Sequence, residues 1–339
     1  MFDASNVSKK RWLVTGAAGF IGSNLVETLL KGGASVVGLD NFSTGHRRNL
    51  TDVEKMVGIN AWKSFRFIEG DIQNPQDCRD ALESVDIVLH QAALGSVPRS
   101  IERPVDSFNS NVAGFFVLLD EVRKSKARRF VYASSSSVYG DDTGLPKMED
   151  KVGRPLSPYA ATKAADELFA DTFSRTYDLE CVGLRYFNVF GPRQDPNGPY
   201  AAVIPRWIKM LVDGEPVWIN GDGQTSRDFC YIANTVQANL LAGLAASLPL
   251  PHSVYNVAVG QRATLLELFD LIKKELVANG VKCAGTKALH RDFRAGDVKH
   301  SLADISKIVR TFGYAPTDKL ADDIARTVSW HVQRVQAAG

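Results

Sequence analysis

Short apolar, β-branched runs alternate with longer helical patterns from residue 11 to about residue 186. This alternation is typical of βαβ units with a parallel sheet. The runs predicted as strands are 11–15, 35–39, 65–69, 86–90, 129–134 and 180–185. The segments predicted as helical include 20–31, 75–84, 109–126 and 158–178. Because crossovers between parallel strands are right-handed, the pattern predicts an α/β fold with a doubly wound parallel sheet.

The pattern changes after residue 186, where a loop rich in Gly, Pro and Asn (FNVFGPRQDPNGPY) is followed by shorter mixed elements. Thr264 and Glu267 have the spacing of a capping box and predict the start of a helix. We therefore expect two domains, residues 1–186 and a smaller mixed α/β domain over residues 187–339, with some segments of the second returning to the first. The absence of a low-complexity linker favours a shared cleft between them.

Composition and charge narrow the possible partners. The 339 residues are 45% hydrophobic, enough for a substantial core, and 40 Lys and Arg oppose 38 Asp and Glu for a formal charge of +2. This balance does not favour a nucleic-acid partner. The apolar runs are shorter than the roughly 18 residues that span a bilayer, so we expect a soluble protein with no membrane partner. The N-terminus lacks signal-peptide features, and a cytoplasmic location is expected.

The cysteines and histidines are scattered along the chain without the spacing of metal ligands. No cysteine belongs to a CxxC pair, and none lies close to a pair of histidines. We therefore expect neither a metal site nor a disulfide framework.

A glycine-rich turn connects the first predicted strand to the helix that follows it. Gly16, Gly19 and Gly22 have the context of a turn that brings backbone amides and a helix N-terminus to a pyrophosphate. Asp40 ends the next strand, where a carboxylate can accept both adenosine-ribose hydroxyls and repel a 2′-phosphate. The combination predicts NAD, rather than NADP, as cofactor.

Tyr159 and Lys163 are four positions apart in a helical segment, so they lie on the same face. A neighbouring ammonium favours ionisation of the phenol. The serines at 134–137 end the fifth predicted strand, at the edge where parallel sheets bind ligands. A hydroxyl from this segment can bridge Tyr159 and a substrate oxygen. These residues predict a tyrosine-based proton transfer.

The GxxGxxG spacing resembles the extended branch of the short-chain dehydrogenase/reductase superfamily, whose sheet is of the Rossmann type. Over essentially its whole length the chain is similar to the nucleotide-sugar 4-epimerases. The motifs that carry this resemblance are TGAAGFIGSNLVE, DNFSTG, SSSSVYGD, SPYAATK, RYFNVFGPRQ, GDGQTSRDFCYI and RAGDVKHSLADISK. A nucleotide-sugar 4-epimerase that keeps NAD tightly bound is therefore expected.

The resemblance assigns roles to individual residues. Tyr159 is the base, Lys163 its partner, and Ser135 or Ser136 the hydroxyl relay. The implied cofactor-binding residues are Gly16, Gly19, Phe20, Ile21, Gly22, Asp40, Asn41, Ser43, Gly45, Asp71, Ile72, Gln91, Ala92, Ala93, Asn111, Tyr159 and Lys163. The implied UDP-sugar-binding residues are Gly95, Ser96, Ser135, Tyr159, Asn188, Arg227, Arg294, Asp297 and Ser301. A homodimer is also expected.

Related enzymes with other chemistries differ at two positions. The 4,6-dehydratases carry Asp-Glu where this chain has Ser136 and Ser137, so elimination of water lacks its acid and epimerisation at C4 is favoured. Epimerases restricted to plain sugars carry a large residue, typically Tyr, at the position of Ser301. The small serine favours UDP-N-acetylglucosamine. UDP-glucose and a UDP-hexuronic acid are alternative substrates, and a non-catalytic NAD-sensing protein is an alternative of another class.

Overall fold

The computed structural model describes residues 4–198, 200–293, 299–317 and 319–338. The predicted strands are all present, with bounds that agree to within one residue. In chain order the strands are β1 (Arg11–Thr15), β2 (Ser35–Asp40), β3 (Phe65–Glu69), β4 (Ile87–His90), β5 (Arg129–Ser135), β6 (Glu180–Tyr186), β7 (Val189–Phe190), β8 (Trp218–Asn220), β9 (Ser226–Arg227), β10 (Cys230–Tyr231), β11 (His252–Val257), β12 (Ala263–Thr264) and β13 (Leu289–Arg291).

A seven-stranded parallel sheet organises the molecule, in the order β11, β6, β5, β4, β1, β2, β3. The chain runs outward from β1 through β2 to β3 and then returns to β4 on the other side. The doubly wound parallel sheet predicted from the sequence is confirmed, and the point where the order reverses, between β1 and β4, is where such sheets bind ligands.

Strand β11 comes from the second half of the chain, and its six residues pair with β6 along its length. The sheet therefore includes a segment from beyond residue 186. The division of the chain into domains at that residue stays a prediction.

Helices cover both faces of the sheet. They are α1 (Ala4–Val7), α2 (Phe20–Lys31), α3 (Arg47–Trp62), α4 (Pro75–Ala81), α5 (Val97–Glu102), α6 (Pro104–Phe108), α7 (Gly114–Lys124), α8 (Pro158–Tyr177), α9 (Val203–Val212), α10 (Ile232–Leu244), α11 (Leu265–Ala278), α12 (Ser306–Phe312) and α13 (Leu320–Ala338). A π-helical turn over Asn109–Ala113 precedes α7, so the predicted helix at 109–126 is divided. A 3₁₀ turn over Ser136–Tyr139 follows β5.

The core lies on both faces of the sheet. Within β1, Trp12 and Val14 belong to one buried cluster while Leu13 belongs to the opposite one, as expected from the alternation of side chains along a strand. Strands covered on both faces become continuously apolar. This is why their positions are so clear in the sequence.

The remaining strands form three two-stranded pairs: β10 with β7, β12 with β9, and β13 with β8. The predicted capping box at the start of α11 is confirmed, since Thr264 Oγ1 accepts a hydrogen bond from Glu267 N at 3.2 Å and Glu267 Oε2 accepts one from Thr264 N at 2.7 Å. Of these strands, β7 directly follows the carboxyl end of β6.

The four cysteines are buried and free. Across the described ranges, the model contains no helix with the length and apolar character needed to cross a bilayer.

Candidate active site

The glycine turn after β1 brings backbone so close that side chains are excluded. Gly16 has a φ of 66°, and a Cβ on it would lie 2.9 Å from Ala92 N. A Cβ on Gly22 would lie 2.0 Å from the carbonyl oxygen of Gly16. Gly19 occupies the N-cap of α2 and has no side chain to cap it, so the first amides of the helix are available to an anion. This cradle fits the pyrophosphate of a dinucleotide.

Asp40, at the end of β2, is 7% exposed. Its Oδ2 accepts a hydrogen bond from Ala18 N at 2.9 Å and its Oδ1 accepts one from Phe42 N at 2.7 Å. Burial raises the pKa of the carboxyl, and the two backbone donors oppose that rise. A carboxylate has about four lone-pair sites, so Asp40 keeps acceptor capacity for a pair of ribose hydroxyls.

A cavity at the carboxyl ends of β1 to β4 is lined by the end of β2 and by residues that follow each of these strands. The predicted cofactor residues that line it are Gly16, Asp40, Asn41, Ser43, Asp71, Ile72, Ala92 and Ala93. Four further residues line it that were not predicted as cofactor residues: Leu39, Thr44, Gly70 and Ser110. Asn41 Nδ2 donates to Asp71 Oδ2 at 2.8 Å, which joins the loops that follow β2 and β3. The cavity lies at the reversal point of the sheet.

The other predicted cofactor residues support this cavity or flank it. Phe20 and Ile21 begin α2 and are half-buried, and a Cβ on Gly45 would lie 2.9 Å from Asp40 Oδ1. The side chain of Gln91 donates to Asn239 and accepts from Tyr186. It therefore fixes the loop after β4.

Asn111 lies in the π-helical turn and is buried. Its side chain accepts from Leu94 N at 2.7 Å and donates to Leu94 O at 3.1 Å and to Thr162 Oγ1 at 3.2 Å. It thus joins the loop after β4 to α8. Asn111 positions backbone at the edge of the cavity.

Helix α8 carries the Tyr159 and Lys163 pair. Ser157 caps the helix by accepting from Ala160 N at 3.1 Å, and Tyr159 N donates to Ser100 Oγ at 3.0 Å. Tyr159 is half-buried. Lys163 is 2% exposed, and its Nζ lies 3.1 Å from Oδ2 of Asp166. The first turn of α8 is thus fixed at both its cap and its lysine.

Lys163 and the charged groups around it shift one another's pKa values. Burial lowers the pKa of Lys163, but the Asp166 carboxylate and then Tyr159 outweigh burial, and the net shift is upward. Burial raises the pKa of Asp166 to about 7, against the influence of the Lys163 ammonium. Burial, and then the same ammonium, lower the pKa of His90 to about 3, so that ring is neutral.

The serine segment divides into two environments. Ser134 is buried and donates from Oγ to Glu167 Oε1 at 2.5 Å. Ser135 Oγ accepts from Ser137 N at 3.2 Å and from Ser137 Oγ at 3.0 Å, while Ser136 begins the 3₁₀ turn, half-buried. Helix α8 packs against this turn. Both candidates for the relay therefore lie where α8 meets the end of β5.

A cavity of about 840 Å³ opens beside the short strand pairs. Of the predicted substrate residues that the model describes, Ser96 and Asn188 line this cavity, whereas Gly95, Ser135, Tyr159, Arg227 and Ser301 do not. The cavity is also lined by residues that were not predicted as site residues, among them Tyr200, Arg206, Trp207, Trp218, Asn220, Phe229 and Arg291. Aromatic rings and guanidinium groups suit a nucleotide.

Ser96 and Asn188 both have a positive φ, 101° and 35° respectively. Ser96 Oγ caps α5 by accepting from Arg99 N at 3.4 Å. Asn188 Nδ2 donates to the carbonyl oxygen of Asp228 at 3.0 Å. Each residue therefore marks a sharp change of chain direction at the wall of the cavity.

Arg227 and Ser301 come from distant parts of the chain and lie beside one another. Arg227 donates to Ser226 O at 3.0 Å and to Lys299 O at 3.2 Å, and Ser301 N donates to Ser226 O at 3.0 Å. Ser301 is half-buried. The predicted residues Arg294 and Asp297 lie outside the described residues.

Asp228 is a buried residue of the GDGQTSRDFCYI motif, and no role was predicted for it. It is 0% exposed and accepts from the backbone N–H groups of Val259, Gly260 and Ala303 at 2.9, 3.0 and 3.3 Å. Burial raises its pKa to about 6, although these donors lower it. In the sequence, the signal for this role is a charged residue directly before the apolar run FCYI. Asp228, next to Arg227 in sequence, therefore joins three segments of the chain.

Comparisons with known proteins agree with this arrangement. The model of the family described as "Epimerase: NAD dependent epimerase/dehydratase family" matches residues 12–258. A UDP-glucose 4-epimerase of Mycolicibacterium smegmatis is 36% identical over 96% of this chain and 100% of its own length. A UDP-glucuronate 4-epimerase of Thermodesulfobacterium geofontis is 34% identical over 96% of this chain and 97% of its own length.

A solved structure is similar over nearly the whole chain. It is a UDP-N-acetylglucosamine 4-epimerase from Methanobrevibacter ruminantium in complex with UDP-N-acetylmuramic acid. It shares 36% identity with this chain, covers 96% of it and 99% of its own length, and superposes with a TM-score of 0.87. Relatives at similar identity thus carry names with three different sugars.

Proposed function

Because the chain belongs to the NAD dependent epimerase/dehydratase family and is an NAD-dependent nucleotide-sugar 4-epimerase, we propose that it interconverts UDP-N-acetylglucosamine and UDP-N-acetylgalactosamine. The choice of sugar rests on Ser301, whose side chain is small and carries a hydroxyl. Its backbone N–H donates to Ser226 O, which also accepts a hydrogen bond from Arg227. An N-acetyl group requires both volume and a polar partner, and a serine leaves room where a tyrosine would fill it.

Tyr159 is the proposed acid–base residue. It removes the proton of the sugar's 4-hydroxyl and later returns it, while the Lys163 ammonium stabilises the phenolate. When bound, NAD would supply a reversible acceptor for the hydride on C4 of the sugar. The hydroxyl of Ser135 or Ser136 bridges Tyr159 and the sugar oxygen. Inversion at C4 would require room in the site for the oxidised sugar to present its opposite face.

The remaining predicted residues are proposed to hold the two nucleotides. Asp40 binds the adenosine ribose, and the turn from Gly16 to Gly22 binds the pyrophosphate of NAD. Asn188 and Arg227 bind the UDP moiety, since a guanidinium matches a pyrophosphate geometrically and electrostatically. The cavity of about 840 Å³ supports the assignment of Asn188, which lines it, because a cavity of this size suits a ligand as large as a UDP-sugar.

A substrate panel tests the choice of sugar. UDP-N-acetylglucosamine, UDP-glucose and UDP-glucuronate are assayed for inversion at C4, and kcat/KM for the acetylated sugar is expected to exceed the others by about tenfold or more, a difference of about 1.4 kcal/mol. Ser301→Tyr should reverse this preference. Ser306→Tyr, at an exposed serine five residues later, is the matched control and should leave the ratio unchanged.

Two results would overturn the assignment of Ser301. Ser301→Tyr could slow all sugars equally, or the native enzyme could turn over UDP-glucose or UDP-glucuronate faster than the acetylated substrate. The second result would favour the glucose or glucuronate specificity named for relatives of similar identity. The assignment of the chain as a nucleotide-sugar 4-epimerase would stand after either result.

A homodimer is proposed on the exposed apolar side chains of helices α5 to α8. These are Ile101, Val105, Phe108, Phe116 and Leu168, which are between 41% and 66% exposed. A cluster of this kind favours burial against a second copy. Leu168→Glu should convert the dimer to a monomer in light scattering, and a native protein that is already monomeric would contradict the proposal.

A further inference from the structure

Asp166 lies one helical turn after Lys163, on the same face of α8. Asp166 is 0% exposed and Lys163 is 2% exposed, and Oδ2 of Asp166 lies 3.1 Å from Nζ of Lys163. Within the described ranges, Oδ1 of Asp166 has no hydrogen-bond partner. A carboxylate that is buried with one oxygen unsatisfied costs stability. Its position therefore calls for a functional explanation.

Other charged and titratable groups act on this pair from neighbouring elements. They are Tyr159 and Glu167 on α8, His90 on β4, Tyr132 on β5 and, through Glu167, Arg185 on β6. Glu167 is already paired with Arg185 at 2.8 Å and accepts from Ser134. Asp166 is therefore the carboxylate that directly neutralises Lys163.

We propose that Asp166 is a positioning residue that keeps the buried Lys163 amine protonated and in place while Tyr159 exchanges its proton with the sugar. This inference rests on the proposed roles of Tyr159 and Lys163. Asp166 acts on the reaction only through the lysine.

The physical reason is the burial of Lys163. An ammonium removed from water loses its proton readily unless a counter-charge is close. A neutral amine would leave the Tyr159 phenolate without its cation. Asp166 supplies the counter-charge from the interior of the protein, so the amine can remain charged beside Tyr159.

The test is the pH profile of Asp166→Asn, which keeps the shape of the side chain and removes its charge. We expect the alkaline limb of the kcat profile to move to lower pH by about one unit or more. Activity should fall at least tenfold at pH 9 and much less at pH 6. Asp171→Asn is the matched control because Asp171 lies on the same helix, is half exposed and pairs with Arg175. Its profile should coincide with that of the native enzyme.

The conservative variant Asp166→Glu should restore the alkaline limb at least in part, since it returns the charge. If Asp166→Asn does not fold, Asp166→Ser provides a smaller neutral side chain for the same measurement. A neutral variant whose activity falls by one factor at every pH would overturn the proposal and leave Asp166 with a purely structural role.

Lys163→Met separates this inference from the proposed function. If Lys163→Met kept more than a tenth of native kcat, the lysine assignment and the role of Asp166 would both fail. If Lys163→Met were inactive but Asp166→Asn had an unshifted profile, only the inference about Asp166 would fail.

Discussion

The proposed cofactor side and the proposed substrate side of the site are built in different ways. On the cofactor side, eight predicted residues line one cavity because each follows a strand of the same parallel sheet. On the substrate side, Ser96 and Asn188 are the predicted residues that line the large cavity. Arg227 and Ser301 meet through segments more than seventy residues apart in sequence. The end of a strand can be predicted from the nearby sequence, whereas the meeting of loops that are distant in sequence cannot.

The interactions that hold the two sides also differ. The cofactor side depends on close approach of backbone, as at Gly16 and Gly22, where a methyl group would overlap other atoms. The substrate side depends on Asp228, whose carboxylate accepts from the segments at Val259 and Ala303. Substitutions of the two kinds should therefore affect binding of NAD and of the UDP-sugar differently.

The largest expected effect is that of Tyr159→Phe, which removes the hydroxyl proposed as the acid–base group. Turnover should fall by about a thousandfold or more, corresponding to about 4 kcal/mol in the barrier. The fold and NAD content should be nearly unchanged, because the ring still packs. Steady-state kinetics and the absorbance of bound cofactor measure both quantities. Retention of more than about a tenth of native kcat would exclude Tyr159 as the base.

Gly22→Ala should damage the cofactor side selectively. Its Cβ would lie 2.0 Å from the carbonyl oxygen of Gly16, and we expect a loss of about 3 kcal/mol in the free energy of unfolding, together with loss of NAD. Gly285→Ala is the control, since a Cβ there would have no neighbour within 4 Å. Thermal unfolding and cofactor content are the measurements. Equal effects of the two substitutions would contradict the steric explanation.

Asp228→Asn should damage the substrate side selectively. The amide retains one oxygen and turns an N–H group toward buried backbone donors, so we expect a loss of about 2 kcal/mol in the free energy of unfolding. KM for the UDP-sugar should rise while NAD content stays near native. The control is Asp222→Asn, at an exposed carboxylate nearby. An equal loss of NAD would show that the two sides are not separable.

The sequence specified the cofactor side more completely because its strands are covered on both faces and become continuously apolar. Helix α3 was not predicted, since it buries few residues and Gly58 kinks it with a φ of 77°. Strand β11 could not be assigned to the sheet by pattern, because its partner β6 lies about seventy residues earlier. The role of Asp166 required knowledge of burial, which spacing alone does not provide.

The smallest expected effect concerns cofactor choice. Asp40→Ala removes the charge that is proposed to repel a 2′-phosphate and the proposed acceptors for the ribose hydroxyls. NAD affinity should fall about tenfold, about 1.4 kcal/mol, while NADP affinity changes little or improves.

Because Asp40 also accepts from Ala18 N and Phe42 N, Asp40→Asn is a milder variant that retains one oxygen for the turn and still lacks the charge. Titration of both variants with NAD and with NADP separates loss of charge repulsion from loss of loop structure. If repulsion is the cause, the ratio of NAD affinity to NADP affinity should change by the same factor in the two variants. An unchanged ratio in both variants would move ribose recognition to the neighbouring Asn41 or Ser43, which line the same cavity.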